Sequence, residues 1–310
     1  TVNGSETSWS TSGEEIRLGE IDGDTVTVEV TWRKTGGSNS GGGIQWEDNV
    51  IYSFHEPEMA RDWLVLYDVP SDKATLRWEI TAPGDLVVAA NGALIETTTA
   101  DGWKTWIWEF DGLIATYLMA LHLSDYVMME DGDDIPIYAW VSPGYEEMAE
   151  YTFGSTPEML THFAELYGPY PWPSYGNAMA PFGGAMEHTT VTTFGEGLVG
   201  SDWGELINAH ELGHHWWGDD VTLGTWADIW LNEGFASYTE TLWYEYYYGK
   251  EGLVSYVEYQ ADSYVQWQEY EGVFSLYDPN YMWGGTIYDK GACVLHTLRG
   301  VLGDDAFFET

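Results

Sequence analysis

The sequence is poor in cations, in sulfur and in long apolar runs. Ten Lys and Arg stand against 51 Asp and Glu, a formal net charge of −41. Such a surface repels phosphate backbones and anionic membrane surfaces, so neither nucleic acid nor a membrane is an expected partner. A single cysteine, Cys293, rules out an intrachain disulfide and a structural zinc site built on cysteines. Its setting, GACVLHTL, reads as a buried and inert thiol. No run of eighteen apolar residues occurs, so no membrane-crossing helix is expected. The opening residues TVNGSETSWS lack the basic-then-apolar pattern of a signal peptide, and no Met begins the chain. The expectation is a mature form or a piece of a longer product. No internal repeat is visible, and the one low-complexity stretch, GGSNSGGG at 36–43, reads as a flexible loop.

What is present suits a globular protein. Apolar residues make up 44% of 310, enough for a sizeable core and for two domains. Alternating apolar and polar residues in DTVTVEVTW, KATLRWEITA, GDLVVAANGALIETTT, KTWIWEF and PIYAWVSPG predict strands. From Tyr145 the period changes. EEMAEYTFGSTPEMLTHFAELYG has helical spacing of Met148, Met159, Phe163 and Leu166 and stops at Gly168. NAMAPFGGAMEHTTVTTFG predicts two short strands around a glycine-rich turn, and helices are predicted over 204–217, 228–248, 251–270 and 286–301. Strands first and helices after indicate an α+β fold, divided here into a β-rich domain at 1–143 and a second domain at 144–310.

The second part carries His210-Glu211-Leu212-Gly213-His214, an HExxH pattern. Four residues advance a helix by about 400°, so the two imidazoles project from nearly one face, one turn apart. At that spacing both can bind one zinc, with Glu211 beside them to accept a proton from an attacking water. Alone the motif is weak. Glu233, with eighteen residues between it and His214, supplies a candidate third ligand. A His-His-Glu set leaves a fourth position open, which is the catalytic arrangement; the plainer reading of Glu233 is a surface helix charge. His215 points about 100° away from His214 and is not read as a ligand. Asp228 is a candidate to accept the free N–H of a ligating imidazole, or else an ordinary charge at a helix N-terminus.

At this point HELGHHWWGDDVT with WLNEGFASYTE resembles the aminopeptidase N family of zinc metallopeptidases, the gluzincins. Gly184-Ala185-Met186-Glu187-His188 is similar to the family's GAMEN motif, Tyr288-Asp289-Lys290-Gly291-Ala292 to its YxKGA segment, and FHEPEMARDWLVLYDVPSDKAT to a segment of its N-terminal domain. The resemblance runs from about residue 50 to the last residue. It implies a sandwich- or saddle-like β domain followed by a thermolysin-like catalytic domain, C-terminally truncated. It implies one Zn2+ per chain on His210, His214 and Glu233, with Glu211 as general base. Glu187 and Glu56 are implied to hold the α-ammonium of a peptide with a free N-terminus. Tyr288 is implied to donate to the oxyanion, and Gly184, Ala185 and Met186 to line the substrate's path. His188 stands where the family usually has Asn, and Phe54 and His55 replace a small residue and Gln, so the substrate contacts there are expected to differ.

The implied activity is a zinc aminopeptidase. Two other readings are open: a zinc hydrolase of another substrate such as an epoxide, which needs a dry apolar channel, and a non-catalytic binding module with a vestigial site, against which Glu211 argues. The acidic excess fits a very soluble secreted or extracytoplasmic protein, or one from the cytoplasm of a salt-adapted cell. If it is a salt adaptation, carboxylates that outnumber their cationic partners repel one another on the surface. The Debye length falls from about 10 Å at 0.1 M to about 3 Å at 1 M, so salt should relieve that repulsion. The melting temperature is expected to rise by similar amounts in NaCl and KCl between those concentrations; a flat or falling value would remove salt adaptation as the explanation.

Overall fold

The computed structural model describes residues 1–13, 15–19, 21, 23, 25–38, 41–47 and 49–309. The central positions of the 36–43 glycine-rich stretch, 39 and 40, lie outside the described residues. Two compact units are present, Thr1–Gly36 and Gly37–Thr310. The first holds a two-stranded antiparallel hairpin, β1 (Trp9–Ser12) with β2 (Glu15–Leu18). The alternation in DTVTVEVTW does not become a strand over its described residues: only an isolated bridge, Val2 to Val28, forms there. Val26, Val28 and Trp32 are exposed, so the pattern has no apolar surface to face.

The second unit is α+β. Its β-rich part contains β3 (Gly43–Glu47), β4 (Val50–Phe54), β5 (Ala74–Pro83), β6 (Val87–Ala90), β7 (Ala93–Ala100), β8 (Trp103–Ile114) and β9 (Leu121–Ser124). They make a four-stranded sheet, β3-β4-β9-β6, and a three-stranded sheet, β5-β8-β7, both antiparallel. A third sheet follows from β10 (Val127–Asp131), β11 (Ile137–Val141), β12 (Tyr175–Ala180), β13 (Ala185–Met186) and β14 (Thr192–Gly195), in the order β10-β11-β12-β14-β13. Strand β11 pairs in parallel with β12, so strands from both sides of position 143 share one sheet. One apolar cluster with Val88, Trp106, Leu123, Trp140 and Ala178 draws on all three sheets. The cut expected at 143 therefore falls inside a continuous packing unit.

Helices α1 (Glu146–Phe153), α2 (Thr156–Tyr167), α3 (Gly204–His214), α4 (Trp230–Glu271), α5 (Asp289–Leu302) and α6 (Asp304–Phe308) complete the fold. Among the described residues none is long and apolar enough to cross a membrane. Leu206, Ala209 and Leu212 turn one face of α3 into a core with Met159, Phe163, Trp216 and Trp243. Trp216 also donates to the Gly168 carbonyl at 3.0 Å. Cys293, on α5, is half-buried, and burial pushes its thiol up to about 11, which fits an inert group.

Two glycine positions decide how the helices meet. Gly249 interrupts α4 with φ 62° and ψ −157°, a region open to glycine almost alone. The break matches the gap between the predicted helices 228–248 and 251–270. An unbroken helix would hold residues 240 and 256 about 24 Å apart; here Tyr256 donates to Glu240, and Gln260 bonds both Thr241 and the Ser237 carbonyl at 2.9 Å. At the crossing of α4 and α5 the backbones touch, since a Cβ on Gly291 would stand 2.8 Å from Gly234 Cα. That approach brings the first turn of α5 beside the first turn of α4. The space around Gly249 is open, so Gly249→Ala meets backbone strain alone. It is expected to cost about 1–3 kcal/mol in urea unfolding; an unchanged midpoint would contradict the turn geometry.

Candidate active site

Helix α3 delivers His210, Glu211 and His214, and the first turn of α4 delivers Glu233. The His210 and His214 Nε2 atoms stand 3.0 Å apart, and Glu233 Oε2 lies 3.2 Å from the first and 3.3 Å from the second. Each Nδ1 is engaged on the far side. His210 Nδ1 lies 2.6 Å from Glu240 Oε1, and His214 Nδ1 lies 3.1 Å from the Trp217 carbonyl. Both acceptors fix an Nδ1–H tautomer, which turns the Nε2 lone pairs toward the carboxylate oxygen. Three ligand atoms about 2.0 Å from a tetrahedral ion stand about 3.3 Å apart. The triangle therefore fits a zinc ion, and its donor set of two imidazoles and one carboxylate suits that metal.

Electrostatics point the same way. Burial disfavours the His210 cation, but hydrogen bonds and charge from Glu233 and Glu240 raise it well above the usual histidine value. Burial likewise opposes His214, yet Glu187 and Glu233 raise it to about 9. Burial raises Glu233, but His214 and His210 override it and hold that carboxylate at about 2. The triad is thus a place where positive charge is favoured.

A cavity of about 270 Å³ opens over it, lined by Glu56, Glu187, Glu211, Tyr288, Ala185, Ile207 and Glu240 beside the triad. Glu56 lies two residues past β4 and Glu187 directly past β13. The two strand ends are tied together: Tyr52 donates to the Pro181 carbonyl at 3.2 Å, and the Phe54 and Phe182 rings are 4.8 Å apart. Burial raises Glu56 well above the carboxylate range, helped by the charges of Glu187, Glu233 and Glu211. Burial also raises Glu187, against the pull of His214. Glu211 is pushed up to about 8 by burial and by Glu187 and Glu233, with His210 and His214 opposing. Tyr288 caps α5, its ring stacked on His210 at 6.0 Å. Burial and four surrounding glutamates raise it well above its ordinary value, so it stays a phenol able to donate.

Four expectations need correction. Asp228 does not hold a ligating imidazole: Glu240 and the Trp217 carbonyl occupy the two Nδ1 positions. Glu240 is itself fixed, since its other oxygen accepts from Tyr256. It lies seven residues after Glu233, two turns along the same helix, and that spacing was a usable signal. His188 does not line the cavity. Its ring is fully buried, with Nδ1 2.8 Å from the Thr193 hydroxyl, to which His122 Nε2 also comes at 2.7 Å. Met186 packs into the core with Phe110, Ile114 and Tyr117, because alternation along β13 sends it away from Ala185. Gly184 keeps its edge-strand place, its carbonyl accepting from Gly195 N at 2.8 Å just ahead of β13.

His55, the fourth, is also removed from the cavity. It accepts from Trp63 Nε1 at 2.7 Å, and burial lowers it to about 4. With His122 and His188 it forms a row of buried, neutral imidazoles behind the two cavity carboxylates, with ring centroids 6.1 and 6.3 Å apart. His215 is likewise buried, its Nδ1 2.6 Å from the Tyr170 hydroxyl, and is no ligand of the triad.

Residues 151–310 match the peptidase family M1 domain and residues 43–118 the peptidase M1 N-terminal domain. Human endoplasmic reticulum aminopeptidase 1 is 29% identical over 280 residues, covering 81% of this chain and 29% of that protein. Human glutamyl aminopeptidase is 32% identical over 210 residues, covering 63% of this chain and 22% of that protein. The chain thus spans under a third of the length of these relatives. The M1 zinc metallopeptidase from Deinococcus radiodurans superposes with a TM-score of 0.84 at 28% identity, covering 100% of this chain and 73% of that one. A mutant of that enzyme bound to a Tyr-Ser-Ala substrate matches equally well, with a TM-score of 0.84.

If Glu240 orients His210, Glu240→Ala is expected to weaken zinc binding about 10–100-fold, measured by competition with a chromophoric chelator. Asp228→Asn should leave it unchanged, and the reverse pattern would restore Asp228 to that role.

Proposed function

Because the chain belongs to peptidase family M1, we propose that it is a zinc-dependent aminopeptidase that removes the N-terminal residue of peptides. What supports the reading is one juxtaposition: a triangle of His210, His214 and Glu233 fit for zinc, and a pair of buried carboxylates, Glu56 and Glu187, in the same cavity. Zinc held on that triangle supplies Lewis-acid chemistry, polarising the scissile carbonyl and lowering the pKa of water.

The chain's own residues do the rest. Glu187 and Glu56 bind the cationic α-amine. Holding it fixes the scissile bond one residue away and makes the action exo rather than endo. Glu211, on the same helix as two ligands and within the same cavity, accepts the proton of the attacking water. It then passes that proton to the leaving amine. Tyr288, kept protonated by its surroundings, donates to the oxyanion as charge develops there. Ala185, on the outermost strand of its sheet, lies along the cavity wall where an extended peptide can run. Glutamates make up five of the ten residues lining the cavity, a polar lining unlike the dry apolar channel that an epoxide substrate needs.

The deciding experiment is a panel of aminoacyl anilides with and without N-acetylation. Free-amine substrates should be hydrolysed and acetylated ones should not. Glu211→Gln should keep its zinc and lose about 10²–10⁴ in kcat, and Tyr288→Phe should lose about 10²–10³ with KM less changed. Glu187→Gln should raise KM for free amines far more than for blocked substrates. Equal turnover of free and acetylated anilides would overturn the aminopeptidase reading.

A further inference from the structure

The cavity holds more carboxylates than the triad uses. Glu56 is 6% exposed and Glu187 2% exposed, and Oε1 of each has no hydrogen-bond partner. Together with Glu233 they offer three ligand oxygens, all within 4.8 Å of one another. No Lys or Arg is among the residues lining the cavity. A substrate ammonium supplies a counter-charge while it is bound. Between substrates these carboxylates face one another in a buried site, where unpaired charge is costly.

We propose that Glu56, Glu187 and Glu233 form a second cation site, taken by a hard divalent cation such as Ca2+ when no substrate amine is present. The donor set decides the metal class. Carboxylate oxygens suit Ca2+, Mg2+ or Mn2+, whereas zinc prefers the imidazoles of the neighbouring triangle. Ca2+ binds oxygen at 2.3–2.6 Å, so oxygens that lie within 4.8 Å of one another can reach one such ion together. Three carboxylates supply three to six of the six to eight oxygens it takes, and water completes the shell. Glu233 belongs to both groups, its Oε2 standing 3.2 and 3.3 Å from the two imidazoles. The second cation and the substrate's ammonium then exclude one another. That last consequence, competitive inhibition by Ca2+, rests on the aminopeptidase reading; the cation site itself does not.

The test is calorimetric titration of Ca2+ into the zinc-loaded chain in 1 M KCl, which screens the surface carboxylates. One saturable site is expected. Its affinity should fall at least tenfold in Glu56→Gln and in Glu187→Gln, each checked for retained zinc, and should not change in the exposed Glu258→Gln. No saturable site in the parent protein, or unchanged affinity in both cavity variants, would overturn the proposal. Displacement by leucinamide separates the two readings. If leucinamide but not N-acetyl-leucinamide lowers Ca2+ affinity, the shared site holds. If neither does while both cavity variants lose Ca2+, the cation site stands and the amine-binding role of Glu56 and Glu187 falls.

Discussion

Buried negative charge is the constraint on which this structure turns. Glu56, Glu187, Glu211 and Glu233 are all buried around one cavity, and the partners the chain itself supplies there are two imidazoles. A carboxylate taken out of water needs a cation or a proton. The raised values of Glu56, Glu187 and Glu211 express the second outcome. The raised values of His210 and His214 express the attraction of the same site for positive charge. On the proposed reading, a metal on the triangle and an ammonium on the carboxylate pair would supply the missing positive charge together.

Holding such a site together requires a rigid frame, and the helices provide it in a chain of dependencies. The close backbone approach of Gly234 and Gly291 sets the start of α5, and so Tyr288, against the start of α4, and so Glu233. The break at Gly249 folds the second half of α4 back along the first. Tyr256 can then fix Glu240, and Glu240 fixes the His210 ring. A backbone turn far along α4 thus reaches the metal triangle through two hydrogen bonds. The β-rich part meets this frame at several points: Tyr52 and Phe54 on β4 lean on the Pro181–Phe182 turn, and Tyr117 accepts from Asn232, the neighbour of Glu233, at 2.9 Å.

What the sequence made legible were features that obey short periods. His210, Glu211 and His214 follow from helical spacing, and Glu233 from a plausible helix-turn-helix gap. The interruption of α4 is legible as a glycine between two periodic runs. Side-chain directions set by tertiary pairing were not legible. His188 and Met186 sit in the same short motif as Glu187, yet the pairing of β13 with β14 sends Met186 to the core, and a bond to Thr193 turns His188 away from the cavity. Asp228 is adjacent in sequence to the start of α4, whereas the carboxylate that meets His210 lies two turns further along that helix. The strand expected in DTVTVEVTW shows the converse limit. Alternation describes a surface that a sheet would bury, and it cannot supply the sheet.

The scarcity of Lys and Arg gains a second meaning from where those residues go. Arg299 binds Glu245 through two nitrogens and Asp304 through a third, which ties α5 to α4 and to α6. Lys73 donates to the carbonyls of Asp219 and Asp220, and Lys290 to that of Phe274. Arg61 gathers Glu58 and Asp68. These cations are spent on the frame, and none lines the cavity. A lysine or arginine placed there would neutralise Glu56 or Glu187 permanently. Keeping the chain's own cations out of the cavity leaves these carboxylates answerable to the two imidazoles and to charge that arrives from solution.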